Sequence, residues 1–206
     1  MYRIGALLIG YLLGGVQSAI LVGRLKGIDI RTQGSGNAGT TNTIRVLGKK
    51  AGALVLIIDI LKAVVAIWLA KLIFNGSHQE ANILIALYSG IGAILGHSYP
   101  LFFNFKGGKG IATTAGTLIG MDIKLFLIGA VVFLICFGMT RIVSISSLLM
   151  TASIPILIII AYSGKGSIGI EAMVLGLLIT AFTFYRHKAN IRRLMDGTEA
   201  KLTSKK

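Results

Sequence analysis

One cysteine, two prolines, three histidines and seven acidic residues are all that 206 positions hold of those types. The single thiol, Cys136, lies in an apolar run, so a disulfide framework and a cysteine-based metal site are both excluded. It reads as a small buried side chain. Seven scattered carboxylates leave nothing to hold a Mg²⁺–nucleotide or Mg²⁺–diphosphate group, and no metal or cofactor is expected. Charged residues make up only 14% of the chain against 54% hydrophobic ones, which excludes an ordinary soluble domain. Linkers, low-complexity tracts and internal repeats are also missing, so residues 1–206 read as a single membrane domain. The net charge of +14 has no accompanying readout elements, so nucleic acid is not an expected partner.

What is present is apolar chain at membrane length. Segments fall at roughly 3–24, 51–74, 81–98, 109–121, 123–139, 142–162 and 169–186, most of them long enough at ~1.5 Å per residue to cross a ~30 Å core. The first, from about Ile4 to Val22, lacks a small-residue cleavage site and reads as one retained transmembrane helix. The segment 109–121 is short and reads as a broken, tilted or re-entrant piece. The 27 glycines suit close packing of membrane helices. The expected fold is all-α and integral to the membrane, with seven transmembrane helices. Sixteen Lys and Arg fall on the side of the 24–50 loop and the tail, against four on the other (Arg3, Lys71, Lys124 and Lys165). The positive-inside rule then places the N-terminus outside and the C-terminus in the cytoplasm. Anionic lipid is an expected neighbour of that basic face.

Four polar islands interrupt the apolar pattern, all on the side expected to be cytoplasmic. The first runs from Gly34 to Arg45 and gathers Ser35, Asn37, Gly39, Thr41 and Asn42. It reads either as a surface loop of turn residues or as a phosphate cradle, with Arg45 offering a bidentate fork. The second runs from Gly96-His97 to Gly107-Gly108-Lys109-Gly110, ahead of an apolar helix. There, glycine amides and the Lys109 ammonium are expected to face an anion. Its spacing is not that of a P-loop, because Gly110 follows Lys109, so ATP hydrolysis is not supported. His97 reads as a structural, hydrogen-bonding histidine. The third island places Ser144, Ser146 and Ser147 behind Arg141, where serines also commonly join helices. The fourth puts His187 and Asn190 three residues apart, on one face if the last helix continues past Arg186. A basic helix snorkelling to headgroups accounts for the fourth equally well. Asp59 and Lys62, mid-span and one turn apart, read as a structural pair, since a lone charge there costs at least ~2.5 kcal/mol.

No G-x-S-x-G elbow, H-E-x-x-H zinc site or His-x4-Asp pair occurs. The chemistry must be metal-free, on substrates that bring their own reactivity. Two classes remain: an enzyme handling phosphorylated substrates, and a transporter of phosphate or organophosphate anions. One-sided islands without repeated halves favour the first.

The motifs Ser35-Gly36-Asn37 with Gly39, Thr41, Asn42 and Arg45; Gly96-His97 through Gly107-Gly108-Lys109-Gly110; the Arg141 serine cluster; and His187, Asn190, Arg193 and Gly197-Thr198-Glu199 resemble the bacterial acyl-phosphate:glycerol-3-phosphate acyltransferases. The likeness runs in order along the whole chain. Two departures are Thr40, where alanine is usual, and Ala63, where glycine is common. The resemblance implies acyl transfer from acyl phosphate to the 1-hydroxyl of glycerol 3-phosphate, giving lysophosphatidic acid and phosphate for phospholipid synthesis at the bacterial cytoplasmic membrane. An enzyme that makes acyl phosphate becomes an expected partner. Carried over, Ser35, Arg45, Lys109, His187 and Asn190 would hold glycerol 3-phosphate. Gly39, Thr41, Ser146 and Ser147 would receive the acyl-phosphate head, with Asn37, Asn42, Gly107 and Gly108 around the substrates. The catalytic set would be Ser35, Lys109 and His187, with the general base either His187 or a substrate phosphate oxygen.

Overall fold

Lys62 shapes the first helix as much as it does its own. In the computed structural model, which describes residues 1–74, Gly76 and 81–202, the first apolar stretch is two helices, α1 (Tyr2–Gly14) and α2 (Ser18–Leu25). The sequence reads as one unbroken helix there. The break exposes the carbonyl of Val16, and Lys62 Nζ reaches across from α4 (Lys49–Phe74) to bond it at 2.7 Å. A freed carbonyl inside a bilayer needs such a donor, so the break and the intramembrane lysine satisfy one another.

The described residues are helical wherever they are regular. They continue through α3 (Thr40–Leu47), α5 (Asn82–Ser98), α6 (Ile111–Met121), α7 (Ile123–Thr140), α8 (Val143–Tyr162), α9 (Gly166–Arg186) and α10 (Lys188–Met195). Five stretches are long and apolar enough to cross a membrane: Tyr2–Leu25, Lys49–Phe74, Asn82–Phe103, Ile123–Thr140 and Val143–Arg186. The last holds two helices, α8 and α9, around a short turn at Ser163–Lys165. The 11 residues of α6 rise only ~16 Å, about half a hydrocarbon core. The protein is a multi-pass membrane protein. The tail lysines Lys205 and Lys206, counted for orientation, lie outside the described residues.

Contacts divide the chain into two compact units, Met1–Met121 and Asp122–Lys206. In the first unit α1 lies against α5 with almost no gap. A Cβ placed on Gly10 or Gly14 would fall 1.9 or 2.2 Å from the carbonyl oxygens of Ser89 or Ala93, and one on Gly92 or Gly96 would meet Leu7 or Tyr11 just as closely. Two small-x-x-x-small patterns therefore interlock backbone to backbone, the close-approach device of membrane helices. Gly116 of α6 likewise faces the Ile60 carbonyl and the Ala63 methyl of α4. In the second unit α8 packs on both α7 and α9. Pro155 sits inside α8, with Gly176 of α9 opposite its Cα.

Candidate active site

In the first unit, Asn42 organises the first island. Its Oδ1 accepts from the Ser35 amide at 2.8 Å, and its Nδ2 donates to the carbonyls of Ile30 and Gln33, both at 3.0 Å. The loop can turn this tightly because Gly34 and Gly36 take positive φ, +58° and +70°, at no steric cost. Asn42 is buried, with its side chain engaged three times by the chain itself. It shapes the loop, where the sequence suggested contact with a substrate. Ser35 and Arg45 are exposed, Asn37 and Thr41 half-buried, and Gly39 buried.

Asp29 opens the same loop. Side-chain hydrogen bonds from Arg31 dominate its environment and hold its carboxyl at about 2, while the pair pushes the guanidinium up. Arg31 also reaches the carbonyl of Phe103 at 3.4 Å, tying the first island to the second.

The second island differs from the sequence expectation in one respect. The amides of Gly107 and Gly108 donate to the carbonyls of Ser98 and His97, at 3.2 and 3.1 Å, and so serve the chain before any anion. Glycine is needed here for closeness: a Cβ at Gly108 would lie 2.3 Å from His97 Nε2 and 2.4 Å from the Ala38 carbonyl oxygen. The structure thereby brings the two glycine islands into contact. Lys109 is half-buried just ahead of α6, whose first amides lack intrahelical partners by the geometry of any helix.

In the second unit, α9 ends at Arg186, where the last apolar segment of the sequence also ends, and His187 separates it from α10, so the helix does not continue unbroken past Arg186. The buried His187 ring lies 2.8 Å through Nδ1 from the Thr183 carbonyl. A carbonyl only accepts, so Nδ1 carries the proton and Nε2 bears a lone pair in the neutral ring. Asn190 Nδ2 donates to Glu199 Oε1, as does the Ser144 hydroxyl at 2.8 Å, and Arg193 Nε donates to Oε2 at 2.6 Å. Burial pushes the Glu199 carboxyl up, but these donors outweigh it and hold it below the usual carboxylate range. Ser146 and Ser147 are buried and donate to the carbonyls of Ile142 and Val143 on their own helix. Their hydroxyls would have to turn to serve an anion. No group of three metal-ligating side chains occurs among the described residues.

The glycerol-3-phosphate acyltransferase family profile matches residues 4–197. The chain belongs to the glycerol-3-phosphate acyltransferase family. It is 43% identical over 202 residues to the glycerol-3-phosphate acyltransferase of Enterococcus faecalis, covering 96% of this chain and 90% of the relative. Its match to the one from Clostridioides difficile is 37% over 200 residues, covering 96% and 94%. Among solved structures, it is similar to an integral membrane glycerol 3-phosphate acyltransferase, PlsY, in its glycerol 3-phosphate form (TM-score 0.85, 35% identity, 97% and 94% covered). The lysophosphatidic acid form matches with TM-score 0.82 at 34% identity and the same coverage.

The protein is thus a membrane acyltransferase, which sets aside the transporter reading. Two features of this acyltransferase escape a reading by motif alone. Glu199 anchors Ser144, Asn190 and Arg193 together; the Gly197-Thr198-Glu199 motif marks the residue but not its partners. The hydroxyls of Thr40 and Ser98 are buried without a hydrogen-bond partner beside the glycine islands, and nothing in residue spacing marks them.

Proposed function

We propose that the protein transfers a fatty acyl group from acyl phosphate to the 1-hydroxyl of glycerol 3-phosphate, giving lysophosphatidic acid and inorganic phosphate. The observation that carries this is the end-to-end similarity to a glycerol 3-phosphate acyltransferase solved in both a glycerol 3-phosphate and a lysophosphatidic acid form. The donor follows from chemistry. Acyl phosphate is a mixed anhydride with a good leaving group, so alignment and oxyanion stabilisation suffice without a metal or covalent intermediate. The hydroxyl oxygen forms a bond to the acyl carbon while the acyl–phosphate C–O bond breaks, and phosphate departs with the electron pair. The hydroxyl proton passes to a phosphate oxygen of the substrate.

Two phosphates brought together need cations and few free carboxylates. Among the described residues of the first unit the acids are Asp29 and Asp59, each paired with a neighbouring cation, Arg31 and Lys62. Ser35, Arg45 and Lys109 are assigned to glycerol 3-phosphate, as are His187 and Asn190. Asn37 is assigned to the substrates, and Thr41, Gly39, Ser146 and Ser147 to the acyl-phosphate head, while Asn42, Gly107 and Gly108 also keep the backbone in shape. Counting α8 and α9 separately and including α6 gives seven passes. The basic loops then face the cytoplasm with the C-terminus, in the bacterial cytoplasmic membrane.

The test is direct. Purified full-length chain given acyl phosphate and labelled glycerol 3-phosphate should release labelled lysophosphatidic acid and one phosphate per product. Acyl-CoA supplied instead should give none. Absence of lipid product from either donor would overturn the reading, and product from acyl-CoA alone would overturn the donor.

A further inference from the structure

Beneath the glycine loop lies a polar cluster that the proposed acyl transfer does not use. Lys62 Nζ has three close neighbours: Asp59 Oδ1 at 2.8 Å, the Val16 carbonyl at 2.7 Å and His97 Nδ1 at 2.7 Å. An ammonium group carries three protons and no lone pair, so it donates in each contact. With Lys62 as the ammonium donor, His97 Nδ1 accepts and the ring proton sits on Nε2; Asp59 Oδ1 lies farther from Nδ1, at 3.5 Å. Asp59 is held in turn by the Ser18 hydroxyl at 2.8 Å. Asp59, Lys62 and His97 are all buried.

The other end of the imidazole meets the glycine loop. Nε2 stands against Gly108, at the point where any Cβ would collide with it and with the Ala38 carbonyl. The main chain of His97 grips the loop as well, its carbonyl accepting from the Gly108 amide at 3.1 Å and from Gln17 Nε2 at 3.1 Å. Ring and carbonyl thus hold the same glycine from two directions. Burying charge within a membrane span is costly, and a pair that served packing alone could be replaced by apolar side chains. The three protons of the ammonium let one side chain bond the carboxylate, the Val16 carbonyl and the imidazole together, which no apolar replacement can do.

We propose that His97 is a positioning residue: held in one tautomer by the Lys62–Asp59 pair, its ring fixes residues 107–110 in the shape that receives the phosphate of glycerol 3-phosphate. This rests on the reading of that loop as phosphate-binding. His97 acts through Gly108 and touches neither reacting atom. Substitution should therefore affect one substrate and leave the other alone, which a general packing defect would not do.

The experiment compares His97→Asn with His97→Gln in the full-length protein. Asparagine retains an acceptor for Lys62 near the Nδ1 position but stops short of Gly108, whereas glutamine extends its amide nitrogen to about the place of Nε2. His97→Asn should raise KM for glycerol 3-phosphate at least about tenfold, the scale of a lost charge-assisted contact, with KM for acyl phosphate within about twofold. His97→Gln should restore most of that loss. Equal defects in the two variants, a parallel rise in both KM values, or wild-type kinetics in His97→Asn would overturn the proposal. A second measurement needs no variant to fold stably. In ¹⁵N-histidine wild-type protein, titration with glycerol 3-phosphate should show His97 protonated at Nε2 and shift that resonance as the loop fills. Saturable binding with an unmoved His97 signal would overturn the positioning role alone. No binding of glycerol 3-phosphate, or no acyl transfer by the wild type, would instead overturn the underlying reading of the site.

Discussion

Thr180 donates its hydroxyl to the carbonyl oxygen of Thr151, at 2.8 Å, from α9 to α8. That carbonyl lies four residues before Pro155, which has no amide proton to give it. In hydrocarbon an unpaired carbonyl is expensive, and the neighbouring helix supplies the missing donor. Thr180→Val should therefore destabilise the protein by about 1 kcal/mol. The same substitution in a Pro155→Ala background should cost less, because the restored amide can bond the carbonyl within α8. Unfolding of the four variants in detergent measures the coupling; equal costs in both backgrounds would refute it.

Orientation can be checked from outside the cell. In a Cys136→Ala background, a cysteine at exposed Gln33 should be shielded from a membrane-impermeant thiol reagent in intact cells, whereas one at Lys165 should label. The excess of Lys and Arg on the Gln33 side is the reason. The reverse pattern would invert the topology.

Arg45 and Lys109 are the cations proposed to hold substrate phosphate. Replacing either with alanine should remove ~1.5–3 kcal/mol of charge-assisted hydrogen bonding, hence about tenfold to a hundredfold in kcat/KM. A folded variant with near-normal kinetics would take that residue out of the site.

For His187 the issue is where the hydroxyl proton goes. Its Nδ1 proton is directed to the Thr183 carbonyl, an arrangement that suits orientation and equally leaves a basic Nε2. With a substrate phosphate as base, His187→Asn should weaken KM and kcat together and keep measurable turnover. A pH profile alone does not discriminate, since histidine titrates near ~6.5 and a phosphate monoester near ~6. An inactive variant that binds glycerol 3-phosphate at wild-type affinity would make His187 the base.

Glu199 carries the acid dependence. Its folded-state carboxyl is held below its ordinary range, so its contribution is fully present above the unfolded value of ~4.3 and is lost as pH falls through the lower folded value. Protection from hydrogen exchange at Thr198, Glu199 and Leu202, whose amides bond Arg193 and Arg141 carbonyls, taken relative to the intrinsic rate at each pH, should be high near neutrality and fall as acid protonates Glu199 through its lowered folded value. Glu199→Gln should show fast exchange already at neutral pH. Protection indifferent to both changes would place the anchor elsewhere.

Composition and charge by themselves determined the all-helical membrane class, the apolar segments and the polar islands. Those properties are additive along the chain: hydropathy sums over a window, and glycine with hydroxyl and basic residues marks the same chemistry in any fold. The pairing of Asp59 with Lys62 was legible too, because one helical turn fixes it. Everything that depends on a remote partner was decided by the tertiary structure. The break after Gly14 exists because Lys62, 46 positions beyond Val16, caps its carbonyl. Asn42, Gly107 and Gly108 looked like ligands for an anion, but their polar groups bond the chain, since carbonyls at Ile30, His97 and Ser98 reach them first. The Glu199 anchor gathers donors from two helices, Ser144 of α8 and Asn190 and Arg193 of α10, and no local pattern announces that meeting. A hydrogen bond commits a donor to whichever acceptor the fold delivers, and residue type fixes only that a donor is present.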